Sequence, residues 1–218
     1  MTCFFKLTAH LQWTDHRDRQ ADGRLRTVIT YNGKLPGPLL VVCQDDIVIV
    51  KLINKIRDGP VTNADGSPNS TSLHFHGIRQ VGVMNRTTGK PEKGYRGFGP
   101  WSDGVPFVTQ CPVPGGLPHT NTHSNVFHYR FRAGRNPYSQ YEGLPYDDLN
   151  APPGTYWYHS HVGAQRTNGL QGALIIKEKY NKLYKNLIDQ PRTQTIIVQE
   201  WYESPTIQAA CSTLIGPG

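Results

Sequence analysis

The chain has 218 residues, a formal net charge of +7, 22 glycines and 17 prolines, but only 2 methionines. Its basic residues are spread along the sequence and accompany no nucleic-acid-binding motif, which argues against a nucleic-acid partner. No apolar run reaches the ~18 residues that a membrane-spanning helix needs. The abundance of Gly and Pro, with short apolar runs, favours an all-β protein.

Four segments alternate apolar and polar residues with the period typical of β-strands. In chain order they are residues 45–56, 125–133, 172–179 and 193–201. Turn-rich stretches lie at residues 31–38, 58–70 and 112–125. A polar stretch at residues 178–190 forms either a short helix or a linker. Many strands joined by Gly and Pro turns predict a sandwich or a barrel.

The cysteines and glycosylation sequons favour a secreted, extracellular protein. There are four cysteines, and sequons begin at Asn69 and Asn85. The N-terminal apolar stretch is too short for a signal peptide, so the chain either lacks its true N-terminus or stays inside the cell with free thiols. Cys3 and Cys43 are expected either to bridge neighbouring strands or to remain free, and Cys211 has no obvious partner.

Two pairs of histidines are the candidate metal ligands. "LHFHG" contains His74 and His76, and "YHSH" contains His159 and His161. On a strand, residues two apart face the same way, so each pair presents two imidazoles to one small volume. Imidazole suits copper, zinc, iron and nickel. One such pair is a weak signal, but two pairs within Gly-rich and aromatic sequence predict a site with four nitrogen ligands.

The other histidines are not predicted as ligands. His128 alternates with arginines on the face of its strand opposite Tyr129 and Phe131, which predicts that it faces solvent. The remaining members of this group are His10, His16, His119 and His123.

Four blocks of sequence, in this order, resemble the first cupredoxin domain of animal laccase-like multicopper oxidases. They are residues 31–46, 73–80, 103–113 and 154–178, and the resemblance extends from Cys3 to Trp201. It implies a Greek-key β-sandwich of the cupredoxin type over residues 1–180. It further implies a linker at residues 181–192 and the incomplete beginning of a second cupredoxin domain at residues 193–218.

The resemblance implies a copper-binding part of an oxidase. Such enzymes take electrons from phenols, amines or ferrous iron and pass them to a trinuclear copper cluster that reduces dioxygen to water. His74 matches a ligand of the type 2 copper. His76 and His159 match ligands of one type 3 copper, and His161 matches a ligand of the other. Asp103 matches an acidic residue that helps to supply protons, although Asp-Gly is also an ordinary turn.

Half of the implied copper site is missing from the sequence. Four of the family's eight cluster histidines are matched, and no cysteine is flanked by histidine as a blue copper site would require. The resemblance therefore implies a partner C-terminal cupredoxin domain, on a longer chain or another subunit, and the family counterpart of Cys111 often pairs with a far C-terminal cysteine. A stand-alone cupredoxin-like protein that binds copper or zinc without catalysis, and a degenerate interaction domain, are the alternatives.

Overall fold

The structure, a computed structural model, describes residues 1–13, 27–44, 46–56, 69–78, 80, 99–115, 125–135, 149–151, 153–178 and 194–199. These residues form the strands β1 (Thr2–Trp13), β2 (Thr27–Tyr31), β3 (Gly37–Cys43), β4 (Ile47–Asn54), β5 (His74–His76), β6 (Val126–Arg132), β7 (Gly134–Arg135), β8 (Leu149–Ala151), β9 (Gly154–His159) and β10 (Gln171–Lys177). A 3₁₀ helix spans Gly99–Ser102.

Two four-stranded sheets enclose the core. The first sheet has the order β2-β1-β4-β6 and the second has the order β3-β10-β9-β5, while β7 and β8 form a separate two-stranded sheet. The aromatic ring of Phe75, in the second sheet, contacts those of Tyr129 and Phe131 in the first, with centroids 5.9 and 4.7 Å apart. The predicted all-β sandwich is confirmed.

The strongest alternating patterns form the strands predicted for them. In β4, Val48, Val50 and Leu52 are fully buried, and the residues between them are more exposed. In β6, Tyr129 and Phe131 are buried whereas His128 is exposed, as predicted. Residues 172–179 contain most of β10, which lies between β3 and β9 in the second sheet. Inward-facing apolar side chains of both sheets therefore form one core.

The fourth predicted strand, at residues 193–201, is wrong over the part that the structure describes. Residues 194–199 belong to no strand, and Ile196 and Val198 are 79% and 93% exposed. An alternating pattern becomes a strand only when its backbone groups find a ladder partner, and this segment pairs with none of the described strands. The predicted linker and the stretch at 179–190 lie outside the described residues. Where residues are described, no helix is long and apolar enough to cross a membrane.

Cys3 and Cys43 are free thiols in this structure, so the predicted alternative of a bridge is not formed. The Sγ of Cys3 donates a hydrogen bond to Oδ2 of Asp46 at 3.4 Å, and the same oxygen accepts the backbone N–H of Cys43 at 2.9 Å. Burial, together with this carboxylate, raises the pKa of the Cys3 thiol. Both residues thus donate a hydrogen bond to the Asp46 carboxylate, and no disulfide joins them.

Candidate metal centre

The two histidine pairs meet because β5 and β9 are neighbours in the second sheet. In their antiparallel register His74 lies directly opposite His159, and His76 lies opposite Trp157. Between the two histidines of β5, Phe75 points into the core and is fully buried. The imidazoles therefore project from the other face of the sheet, as the period of two predicts.

His161 lies two residues beyond the end of β9, but its ring stays close to those of the other histidines. The backbone N–H of Ser160 donates to the carbonyl of Leu170 at 3.0 Å, which continues the contact with the chain entering β10. The ring centroid of His161 lies 5.4 Å from that of His74 and 6.1 Å from that of His159. All four predicted ligands are thus brought together.

Three of the four histidines place ring nitrogens close enough to share metal ions. One nitrogen from each of His74, His76 and His159 lies within 4.8 Å of the others. The Nδ1 of His76 and the Nε2 of His159 are 3.3 Å apart. If one metal ion bound both nitrogens at about 2.0–2.1 Å, the nitrogen–metal–nitrogen angle would be about 107°, close to tetrahedral. The donor set and its spacing therefore fit a transition metal.

Backbone carbonyls fix which nitrogen carries the proton. The Nδ1 of His159 lies 2.8 Å from the carbonyl oxygen of Ser160, and the Nδ1 of His74 contacts the carbonyl oxygen of Asp103. A carbonyl only accepts, so each Nδ1 bears the hydrogen and each Nε2 keeps its lone pair. This arrangement of a ring N–H on a backbone carbonyl is typical of metal-binding histidine.

Burial and neighbouring positive charge favour the neutral form of His159 and His76 by lowering the pKa of each ring. Burial lowers the pKa of His159 to about 3; His74, Arg166 and His76 lower it too, against the opposing effect of the Ser160 carbonyl. The pKa of His76 is also lowered, first by partial loss of water around the ring and then by His74 and Arg166. Neutral imidazole is the form that binds a metal ion, so these two rings are available as ligands near pH 7.

Asp103 lies beside the first histidine pair. Its Oδ1 is 3.4 Å from the Nδ1 of His74, and about a third of the side chain is exposed. The next residue, Gly104, has a φ of +74° and approaches β5 so closely that a Cβ there would lie 2.0 Å from the carbonyl oxygen of Leu73. Only glycine allows both this turn and this approach. The Asp-Gly turn thus places a carboxylate at the edge of the site.

The three aromatic residues before the second pair, Tyr156, Trp157 and Tyr158, lie in different surroundings. The ring of Trp157 stacks on His76 at 4.9 Å and lies 4.3 Å from His159. Tyr158 instead points into the core, where its hydroxyl donates to the carbonyl of Pro38 at 2.6 Å. Tyr156 is partly buried and packs against the core cluster. Trp157 is therefore the aromatic side chain that supports the imidazoles.

The first sequon, at Asn69, lies in a buried segment shortly before the first histidine pair. Asn69 is 9% exposed and Thr71 is fully buried. The backbone carbonyl of Asn69 accepts a hydrogen bond from the side chain of Asn54 at 2.7 Å. The side chain of Thr71 bonds to Gln165 at 2.7 Å. The sequon at Asn69 is therefore a structural turn and gives no support to a secreted glycoprotein, while Asn85 lies outside the described residues.

The fold is a cupredoxin-like sandwich and the site is a cluster of imidazoles. Together they define the class of protein: one that binds a transition metal. Comparison with known proteins gives the family. The model of the multicopper oxidase family matches residues 13–91 and 145–181, more than half of the chain. The chain belongs to the multicopper oxidase family.

Laccases and related oxidases are among its relatives. It is 29% identical to laccase-2 of Thanatephorus cucumeris over 85% of this chain and 23% of that protein. It is 33% identical to the multicopper oxidase MCE of Talaromyces pinophilus, over 73% of this chain and 18% of that protein. Laccase-3 of Oryza sativa subsp. japonica is 31% identical, over 85% of this chain and 23% of that protein. The relatives named here are not from animals, and the animal type of laccase stays a prediction.

Solved structures agree with the family and the fold. Fet3p, a multicopper oxidase that functions in iron import, superposes with a TM-score of 0.53 and 28% identity, over 83% of this chain and 24% of that one. The laccase from Botrytis aclada gives a TM-score of 0.50 and 28% identity, over 80% of this chain and 22% of that one. The chain thus spans about a fifth to a quarter of the length of the relatives named here.

Proposed function

We propose that this chain supplies part of the copper centre of an oxidase that reduces dioxygen to water with electrons from phenols, amines or ferrous iron. The observation that carries the proposal is the convergence of four imidazoles on one face of the β5–β9 pair. Membership of the multicopper oxidase family favours this function over a stand-alone metal-binding protein without catalysis. Copper, when bound, supplies one-electron redox chemistry that no amino-acid side chain of the site provides.

The chain's own histidines hold the metal ions and fix their separation. We assign His76 and His159 to one type 3 copper, and their facing nitrogens at 3.3 Å support this pairing. We assign His74 to the type 2 copper and His161 to the second type 3 copper. The direct pairing of His74 with His159 across two strands holds these rings in the rigid geometry that a multi-metal site needs.

Asp103 is proposed to hold and release protons at the edge of the site. Its carboxylate lies 3.4 Å from the Nδ1 of His74 and is partly open to water. Reduction of one dioxygen to two waters consumes four protons, and a carboxylate between solvent and the site can relay them. Its backbone carbonyl also accepts the Nδ1 proton of His74, so one turn serves both orientation and proton supply.

The proposed division of the protein places the copper ligands in the first domain. Residues 1–180 are proposed as the first cupredoxin domain, 181–192 as a linker, and 193–218 as the beginning of a second. The remaining cluster ligands and the blue copper site are assigned to a C-terminal cupredoxin domain outside this sequence. Secretion is proposed on the cysteine content and the second sequon alone.

Copper analysis with site variants tests the proposal. Purified chain is loaded with copper, and metal content and electron paramagnetic resonance are measured; oxygen uptake with a phenol or ferrous iron is measured on the complete oxidase. The double variant His74→Ala, His76→Ala is expected to lose bound copper and oxygen uptake. The matched control is His128→Ala, because His128 is exposed on the first sheet. Unchanged copper content in the double variant would refute the ligand assignment.

A further inference from the structure

A buried polar cluster lies directly behind the histidines. Its members are side chains from the segment before β5 and from the loop between β9 and β10: Ser70, Thr71, Ser72, Ser160 and Gln165. Each of them is at most 4% exposed. Buried polar groups of this kind are costly unless they are paired, so their bonding pattern carries information about what they hold in place.

The carboxamide of Gln165 is the centre of this cluster. Its Oε1 accepts hydrogen bonds from the hydroxyls of Thr71 and Ser160, both at 2.7 Å. Its Nε2 donates to the backbone carbonyl of Ser70 at 2.7 Å. One side chain therefore binds the segment that leads into His74 and, at the same time, the residue that separates His159 from His161.

The two segments are also joined directly. The backbone N–H of His161 donates to the hydroxyl of Ser72 at 3.3 Å. The hydroxyl of Ser160 accepts the backbone N–H of Val162 at 3.2 Å, which fixes the turn just after the second pair. Ladder pairing between β5 and β9 covers only three residues of β5, His74 to His76. The polar cluster extends the connection to the residues that flank this short pairing.

We infer that Gln165 is a positioning residue, which sets the distance and orientation of one histidine pair relative to the other. It acts through Thr71 and Ser160, whose hydroxyls donate to its Oε1. Both pairs must hold their rings within a fraction of an ångström to share metal ions, and residues that orient ligands typically contribute 10–100-fold to metal affinity. For copper affinity the inference rests on the proposed function, but for ring placement it does not.

Two substitutions of different severity test the inference. Gln165→Leu removes every polar atom of the carboxamide at similar volume. Thr71→Val is isosteric and removes only one hydroxyl, so it keeps the test valid if the leucine variant does not fold. The control is Val50→Ala, a fully buried position of β4 in the first sheet, which lowers stability without touching the cluster.

The first measurement needs no metal. Nuclear Overhauser contacts between ring protons of His74 and His161, whose centroids lie 5.4 Å apart, report the relative position of the two pairs in the metal-free chain. These contacts are expected to weaken or vanish in both cluster variants and to persist in Val50→Ala. Wild-type contacts in both cluster variants would overturn the inference.

The second measurement is copper affinity by competition with a chelator, together with the paramagnetic resonance spectrum. Gln165→Leu is expected to weaken copper binding by about 10-fold or more and to change the spectrum, while Val50→Ala does neither. An equal loss in the control at equal stability would show that Gln165 acts only through overall stability. A wild-type chain that binds no copper would refute the proposed function and leave the ring contacts as the test of this inference.

Discussion

The ring of Tyr158 lies in a slot formed by two glycines, and filling that slot is the sharpest test of the packing beneath the site. Gly172 in β10 and Gly37 in β3 are register partners on neighbouring strands. A Cβ at Gly172 would lie 2.3 Å from the Cζ and hydroxyl oxygen of Tyr158, and one at Gly37 would lie 2.9 Å from the same oxygen. Ordinary carbon contacts are about 3.5–4.0 Å, so Gly172→Ala forces an overlap of more than about 1 Å.

The ring of Tyr158 is buried and has close neighbours. It is fully buried, Tyr31 and Phe75 lie 5.5 and 6.5 Å away by ring centroid, and its hydroxyl is bonded to Pro38. Overpacking a core costs about 1–3 kcal/mol. Replacing a strand glycine by alanine returns about 0.5–1 kcal/mol of backbone entropy. Because the overlap is large and the ring is confined, we expect a net loss of about 2 kcal/mol in the free energy of unfolding.

A second background reverses the sign of the effect. In Tyr158→Leu the ring and its hydroxyl are gone, so Gly172→Ala should no longer clash and should stabilise the chain by about 0.5–1 kcal/mol. The coupling between the two positions is therefore about 2.5–3 kcal/mol, measured by urea unfolding of the four chains of the cycle. If Gly172→Ala costs the same in both backgrounds, the slot is not the reason for glycine at this position.

Three further outcomes are expected. Asp103→Asn keeps the backbone contact with His74 but removes the carboxylate, so copper content should be unchanged while oxygen uptake of the complete oxidase falls about 100-fold or more; equal uptake would exclude the proton role. His159 has a pKa of 6.5 when unfolded and about 3 when folded, so its contribution to stability is present above pH 6.5 and is lost as pH falls towards 3. Urea unfolding of the metal-free chain at several pH values should show this loss, and His159→Gln should reduce it. Asn69 should carry no glycan in folded protein from a secreting cell, since Thr71 of its sequon is fully buried; a glycopeptide at Asn69 in mass spectrometry would contradict its structural role.

Sequence patterns predict the strands whose inward and outward faces differ most. In β4, buried valines and leucine alternate with less buried residues without interruption, so the period of two is visible. The longest described strand, β1, is not predicted from the sequence. Its Phe4 is apolar but 73% exposed, which interrupts the alternation of apolar and polar residues. The segment 194–199 shows the opposite failure: its pattern alternates, but no described strand pairs with it. Periodicity reports which face a residue would show, and it does not report whether a ladder partner exists.

The candidate site also contains residues that the sequence predicts and residues that it does not. The histidine pairs are readable because two residues of one kind at a spacing of two are unusual and chemically specific. Gln165 carries no such mark, since a glutamine in a polar loop normally faces solvent. Its complete burial depends on the fold of the loop, in which the backbone N–H of Leu170 bonds to the carbonyl of Gln165 at 3.0 Å. Residues that position ligands from behind are therefore found only once the tertiary contacts are known.

Register is the step that turns two distant histidine motifs into one site. With His74 opposite His159, the imidazoles share one face and Phe75 enters the core. A slip of one residue in the β5–β9 pairing would exchange these faces, burying imidazole and exposing the phenylalanine. The buried Phe75 and the confined ring of Tyr158, which pair directly across the two strands, oppose that slip. The packing that stabilises the core therefore also determines where the metal ligands lie, so mutations in the glycine slot should disturb copper binding although they are on the opposite face of the sheet.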